Sequence, residues 1–146
     1  MALTIPKLTD KITANFTWKD ALWLPSWNRA ATEEDGLTQK HLDNIKATAM
    51  WMQEVRDFFG KPIIVHCWLR PIKYNKQIGG SKNSSHLYGY GVDFHVKGID
   101  CATAKKMILD AGLLDKKKLR MEDIKGEWIH LDDRAVGASG KRYFKP

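Results

Sequence analysis

The chain has 146 residues, a formal net charge of +7 at pH 7 and 43% hydrophobic residues. This length and apolar fraction predict one globular domain over 1–146 and exclude an intrinsically disordered chain. No apolar run reaches the roughly 20 residues that a helix needs to cross a bilayer. The N-terminus has no basic segment followed by an apolar one, as a secretory signal would, so we expect synthesis in the cytoplasm.

The first predicted helix covers 18–24 and follows an extended lead-in. Thr17 and Asp20 have the spacing of a capping box, which places the start of this helix, and Pro25 ends it. A polar loop then leads to residue 37. We therefore expect 1–37 to be a lead-in segment with one short helix.

The longest predicted helix covers 39–59. Thr38 caps its start and Gly60 ends it. Its apolar side chains recur every three or four residues and form one helix face: Leu42, Ile45, Ala49, Met52, Val55 and Phe59. His41 lies off this face and is predicted to be a surface residue.

Two strands are predicted in the centre of the chain, over 63–69 and 90–96, because both segments are rich in β-branched and aromatic residues. A short helix over 72–78, which begins after Pro71, and a glycine-rich loop over 79–85 connect them.

The last predicted helix covers 101–111 and is capped by Asp100. Two strands, 119–123 and 128–131, follow as a hairpin, and 133–146 form a tail. Strands that alternate with helices and include a hairpin predict the α+β class. The metal-binding core of the domain is expected over 38–132.

Two segments carry side chains of the types that bind zinc. His86 follows the glycine-rich loop, Asp93 lies on the second central strand, and His130 follows Glu127 by three residues. Two imidazoles and one carboxylate are a common set of three protein ligands for a catalytic zinc ion. A carboxylate that is not a ligand can then take a proton from the metal-bound water. Ordinary structural roles for the same residues are the alternative, since short motifs often match by chance.

The three-residue spacing of Glu127 and His130 restricts how both side chains could reach one site. Side chains alternate along a regular strand, so Glu127 and His130 would face opposite sides. Both can serve one site only if Glu127 lies in the turn after Gly126 or if a bulge intervenes. His66 is expected to have a structural role, and His95 shares a strand face with Asp93.

The two cysteines, Cys67 and Cys101, are expected to be reduced thiols, since nothing indicates an oxidising compartment. Neither belongs to a Cys-x-x-Cys pair. We therefore expect no cysteine-based metal site.

Two motifs resemble the signature of the zinc D-alanyl-D-alanine carboxypeptidase family: Ser84-x-His86-x-x-Gly89-x-Gly91-x-Asp93 and Glu127-x-x-His130. That family includes D-Ala-D-Ala dipeptidases and the L-alanyl-D-glutamate endopeptidases of phages. Leu69-Arg70-Pro71, Asn75 and 79–81 are similar to the family's segment before the first zinc ligand. The similarity covers about 38–132. The chain departs from the family at Gly91, where alanine is usual, which is a small-for-small change.

The resemblance implies that His86, Asp93 and His130 hold zinc and that Glu127 is the general base. It implies that Arg70 contacts the substrate carbonyl or its oxyanion, and that Ser84 helps to position the substrate. It also implies the fold of the Hedgehog and D,D-peptidase group, which is an antiparallel sheet with helices packed against it and zinc in a groove.

The resulting hypothesis is a monomeric zinc peptidase that hydrolyses peptidoglycan stem peptides at the bacterial cell wall, as a phage-type endolysin. The positive charge suits approach to an anionic cell envelope. A D-Ala-D-Ala carboxypeptidase is one alternative, and a non-catalytic binding or virion structural protein with the same fold is another. Nucleic acid is not expected as a partner, because the sequence contains no recognisable nucleic-acid module.

Overall fold

Two small hairpins flank a short helix in the N-terminal part of the computed structural model, which describes residues 3–146. Strands β1 (Lys11–Thr13) and β2 (Phe16–Thr17) pair antiparallel, as do β3 (Trp23–Leu24) and β4 (Arg29–Ala30). Between the hairpins, α1 (Trp18–Leu22) begins with the predicted capping box of Thr17 and Asp20. The helix ends two residues earlier than predicted, because Trp23 adopts an extended backbone and enters β3.

The long helix α2 (Gln39–Phe59) has the predicted bounds. Thr38 caps its first turn, and Gly60 ends it in the left-handed region with a φ of 63°. All six predicted apolar positions of the helix face are buried. This helix therefore contributes a continuous apolar stripe to the hydrophobic core.

A five-stranded sheet forms the rest of the scaffold. Its strands are β5 (Ile63–Cys67), β6 (Gly91–Val96), β7 (Arg120–Glu122), β8 (Ile129–Asp132) and β9 (Tyr143–Phe144), and their spatial order is β5-β6-β8-β7-β9. Neighbouring strands are antiparallel, except that β9 runs parallel to β7. The pairing of β7 with β8 confirms the predicted hairpin, and the fold is of the α+β class.

Three shorter helices accompany the sheet: α3 (Ile72–Gln77), α4 (Cys101–Asp110) and α5 (Leu113–Lys117). Asp100 caps α4 as predicted. The sequence analysis did not predict α5, which starts directly after Gly112 and buries Leu113 and Leu114. It also did not predict β9, which lies in the tail and hydrogen-bonds to β7 through the amide of Met121 and the carbonyl of Arg142 at 2.7 Å.

The two faces of the sheet differ in chemistry. Val92, Phe94 and Val96 of β6 are buried in the core together with Ile129 and Leu131 of β8. Because side chains alternate along a strand, the residues between them face the other side, and there the strands carry polar groups. No helix within residues 3–146 has the length and apolar character to span a bilayer.

His41 connects the start of α2 to the loop that follows His86. Its Nδ1 accepts the amide of Thr38 at 3.0 Å, and its Nε2 donates to the carbonyl of Leu87 at 3.0 Å. This side chain is half-buried, whereas the sequence predicted a surface residue. Burial lowers the pKa of His41, although the hydrogen bond to Leu87 acts in the opposite direction. The neutral ring is therefore the form that the folded protein favours.

We predict that His41 makes the stability of the protein depend on pH. Since its folded-state pKa lies below the ordinary value of 6.5, its contribution to the free energy of unfolding is complete above that pH. The contribution is lost as the pH falls through the folded-state pKa. The variant His41→Ala should be less stable than the wild type by about 1 kcal/mol at neutral pH. Urea unfolding at neutral and mildly acidic pH measures the difference in free energy of unfolding between the wild type and the variant. This difference should become smaller at acidic pH. A difference that does not change with pH would contradict the prediction.

Candidate metal centre

His86, Asp93 and His130 meet on the polar face of the sheet. The register of β6 and β8 places Asp93 directly opposite His130, and His86 lies in a short helical turn before β6. Oδ2 of Asp93 lies 3.1 Å from Nε2 of His86, and Oδ1 lies 2.8 Å from Nδ1 of His130. One carboxylate thus contacts both imidazoles, and the structure brings together the three residues predicted as ligands.

The other nitrogen of each imidazole is held by an acceptor. Nδ1 of His86 donates to the carbonyl of Trp68 at 2.8 Å, and Nε2 of His130 donates to Oδ2 of Asp132 at 2.7 Å. Arg120 in turn binds both oxygens of Asp132, at 2.8 and 3.0 Å. Metal-binding histidines commonly have this arrangement, in which the outer hydrogen bond orients the ring. The donor set and its anchoring therefore fit zinc.

Electrostatics favour ionised carboxylates at this site. Burial alone raises the pKa of Asp93, but the two imidazoles outweigh it and hold the pKa well below the usual value. Burial likewise raises the pKa of Asp132, whereas hydrogen bonds from His130 and Arg120 lower it, and the resulting pKa is about 2. Burial lowers the pKa of His130, and its hydrogen bonds to the two carboxylates raise it above the usual value. Ionised carboxylates are the form that binds a metal.

Cys67 also adjoins this cluster. It lies opposite Asp93 in the pairing of β5 and β6, and its Sγ is 3.7 Å from Nδ1 of His86. The ligand-type atoms of Cys67, His86 and Asp93 lie within 4.8 Å of one another, and they form the one such group of three within residues 3–146. The two cysteines are free, as expected, but the position of Cys67 does not support the expectation that there is no cysteine-based metal site. Unlike His130, Cys67 does not line the groove described next.

An open groove of about 470 Å³ runs past the cluster and is lined by all three predicted ligands. Arg70 and Ser84, the predicted substrate-contacting residues, line it too. Nη2 of Arg70 donates to Oγ of Ser84 at 3.0 Å, and the same oxygen accepts the amide of His86 at 3.2 Å. Both residues are thus positioned beside the first predicted ligand.

Glu127 lies in the turn after Gly126, as its spacing from His130 requires, but its side chain lies outside the groove. Strand β8 begins only at Ile129, so Glu127 belongs to the connection after Gly126, where strand alternation does not apply. Its side chain is exposed and does not line the groove. Glu122 of β7 does line it, and its Oε1 lies 3.8 Å from Nδ1 of His130. The sequence analysis did not single out Glu122.

Gly91 allows the side chains of Ser85 and His130 to lie close to the backbone of β6. A Cβ at this position would lie 2.2 Å from Oγ of Ser85 and 3.0 Å from Cε1 of His130. The hydroxyl of Ser85 contacts Nε2 of His130 at 3.3 Å. An alanine, which is usual at this position in the family that the motifs resemble, would displace Ser85, so the change is not neutral in this chain.

The remaining histidines lie near the site but contact one another. Nε2 of His66 and Nδ1 of His95 are 2.6 Å apart. Trp128, which lines the groove, has its ring centroid 6.2 Å from that of His66. These side chains extend the polar face of the sheet beyond Asp93.

We predict that Asp132→Asn weakens zinc binding by about 10- to 100-fold, because the charged acceptor that orients His130 and neutralises Arg120 is lost. Competition with a fluorescent zinc chelator measures the affinity. Asp133→Asn is the matched control, since this neighbouring carboxylate is exposed. Equal affinities of the wild type and Asp132→Asn would show that the outer hydrogen bond does not orient the ligand.

Comparison with known proteins found one matching family. A family model described as Peptidase M15 matches residues 26–132. The matched range includes Arg70, both zinc-type motifs and four of the five strands of the main sheet. No match was found among curated proteins.

Proposed function

Since the chain belongs to the peptidase M15 family, we propose that it is a zinc-dependent peptidase that hydrolyses the stem peptides of peptidoglycan, as a phage-type endolysin. The observation that carries the proposal is the convergence of His86, Asp93 and His130, with the outer nitrogen of each ring held by an acceptor. The protein would act as a monomer at the cell wall, and its positive charge would favour an anionic envelope.

Nε2 of His86, the carboxylate of Asp93 and Nδ1 of His130 would hold the zinc ion. Zinc, when bound, lowers the pKa of a coordinated water toward about 7 and polarises a carbonyl. The chain keeps both carboxylates of the site ionised through their imidazole and guanidinium neighbours. Trp68 and Asp132 fix which nitrogen of each ring faces the groove.

Proton transfer is assigned to Glu127 on the strength of the Glu-x-x-His motif. In this role its carboxylate accepts a proton from the attacking water and delivers it to the leaving amine. Arg70, which is held by Ser84, would donate hydrogen bonds to the oxyanion that develops on the substrate carbonyl. Because Glu127 lies in the connection before β8, strand alternation does not exclude this assignment.

A D-Ala-D-Ala carboxypeptidase is the second candidate within the same chemistry. One observation favours this carboxypeptidase candidate. Arg70 lines the groove and makes no ion pair within the described part of the chain. Such a guanidinium could bind a terminal carboxylate as well as an oxyanion. A non-catalytic binding or virion structural protein remains the alternative from another class.

Digestion of purified peptidoglycan with and without a zinc chelator tests the proposal. Mass spectrometry of the soluble products should show peptides that appear only when metal is present. Free stem peptides that begin at D-Glu would establish an L-alanyl-D-glutamate endopeptidase, and release of D-Ala alone would establish a carboxypeptidase. If zinc-loaded protein released nothing that depends on metal, the binding or structural role would take its place.

We predict that Glu127→Gln retains zinc and lowers turnover by roughly 10²- to 10⁴-fold, since only the proton acceptor is removed. Glu122→Gln is the matched control, because it makes the same change at the carboxylate that does line the groove. Zinc content and initial rates should be measured on both variants. The opposite pattern, with the large loss in Glu122→Gln, would transfer the role of base to Glu122.

A further inference from the structure

Two guanidinium groups bind adjacent residues of the loop before His86. Arg70 donates to the hydroxyl of Ser84 at 3.0 Å, and Nη1 of Arg134 donates to the carbonyl of Asn83 at 2.8 Å. Both arginines line the groove of the candidate metal centre. Arg134 lies just beyond the residues that the family model matches, and no motif in the sequence pointed to it.

The side chain of Arg134 is held in place by several contacts. Its Nη2 lies 3.4 Å from the hydroxyl of Tyr90, and its backbone amide donates to Oδ1 of Asp132 at 3.1 Å. Its guanidinium carbon lies 5.8 and 6.0 Å from the ring centroids of Tyr90 and Tyr88. These two rings are stacked, with an interplanar angle of 9°. A side chain held in this way loses little conformational entropy when it binds a ligand.

The carboxylates that line the groove have other partners. Asp93 contacts the two imidazoles, Asp132 is paired with Arg120, and Oε1 of Glu122 lies 3.8 Å from Nδ1 of His130. Within residues 3–146, Arg134 makes no ion pair. Its two side-chain hydrogen bonds go to neutral oxygens, and a guanidinium has five N–H donors. Donors of a fixed positive charge are therefore left for an anionic group in the groove.

We propose that Arg134 binds a carboxylate of the substrate and so selects acidic peptides; this inference rests on the proposed function. A guanidinium recognises a carboxylate through paired hydrogen bonds of matching geometry. Stem peptides with lysine at the third position offer this group in two places, the α-carboxylate of D-Glu and the terminal carboxylate of D-Ala. The chemistry is the same in both, and the bond that is cut decides which one lies near Arg134.

Steady-state kinetics with a set of synthetic stem peptides tests the proposal. All of them carry lysine at the third position, and the set comprises the free acid, the peptide with D-Glu amidated to D-isoglutamine, and the peptide with an amidated C-terminus. For Arg134→Met, KM for the free acid should rise roughly tenfold or more, because hydrogen bonds to a charged group are lost, while kcat changes little. The KM of Arg134→Lys for the free acid should lie between those of the wild type and Arg134→Met, since lysine keeps the charge but not the planar guanidinium. Lys46→Met removes the same charge from an exposed site on α2 and should have no effect.

The amidated peptides identify the carboxylate. With the peptide that lacks the recognised group, the wild type and Arg134→Met should have the same KM. An equal loss on all three peptides would overturn the inference, because it would indicate a structural role for Arg134. Unchanged kinetics would overturn it as well and would leave the proposed peptidase intact.

Calorimetric binding of the same peptides to the zinc-loaded protein separates the two proposals. If the wild type bound the free acid but cleaved nothing, the peptidase would fail. The inference would then stand only if Arg134→Met weakened this binding and amidation of one carboxylate abolished the difference. If the wild type neither bound nor cleaved the peptides, both proposals would be overturned.

Discussion

The register between β6 and β8 is the constraint on which the candidate site depends. Asp93 lies opposite His130 because Phe94 pairs with Ile129 and Val92 with Leu131, and these four apolar side chains are buried on the other face. A slip of one residue would move the apolar set to the groove and the ligand set to the core. The hydrophobic core therefore fixes the distance between the carboxylate and the imidazole, and the chemistry of one face is specified by the packing of the other.

His86, the candidate ligand outside β6 and β8, lies in the segment before β6, and three contacts hold this segment against the scaffold. The indole of Trp68 donates to the carbonyl of Gly89 at 2.9 Å, His41 donates to Leu87, and the side-chain amide of Asn44 donates to Tyr88 at 2.8 Å. Trp68 is itself buried, and its own carbonyl binds His86. The position of the His86 ring thus depends on α2 and on the end of β5 as much as on the loop. A site built on a loop reaches the precision of one built on strands when rigid elements hold the loop at several points.

Caps and periodicity predicted the long helix and the start of α4, since both signals act within one or two turns of the chain. They did not predict α5 or β9, because these short elements depend on distant contacts: Leu113 and Leu114 enter the common core, and β9 pairs with a strand more than 20 residues away. The motifs predicted which side chains converge at the candidate centre. Asp132 could have been added from strand alternation, since it follows His130 by two residues. Glu122 and Cys67 could not, because their positions depend on strand register, which no local pattern specifies.

The position of Arg134 in the groove distinguishes it from the exposed cations that also contribute to the positive net charge. Exposed cations attract an anionic envelope over a distance of about one Debye length, and salt screens this attraction. A guanidinium in a groove acts at contact distance and through the direction of its N–H groups, so its effect depends on geometry more than on ionic strength. The charge of the chain can therefore serve two purposes that differ in range. In the proposed function, the exposed lysines would raise the rate of encounter with the wall, and Arg134 would distinguish one anionic segment of the bound polymer from another. Net charge alone, as read from the sequence, cannot separate these contributions, because the separation depends on which cations the fold leaves without a carboxylate partner.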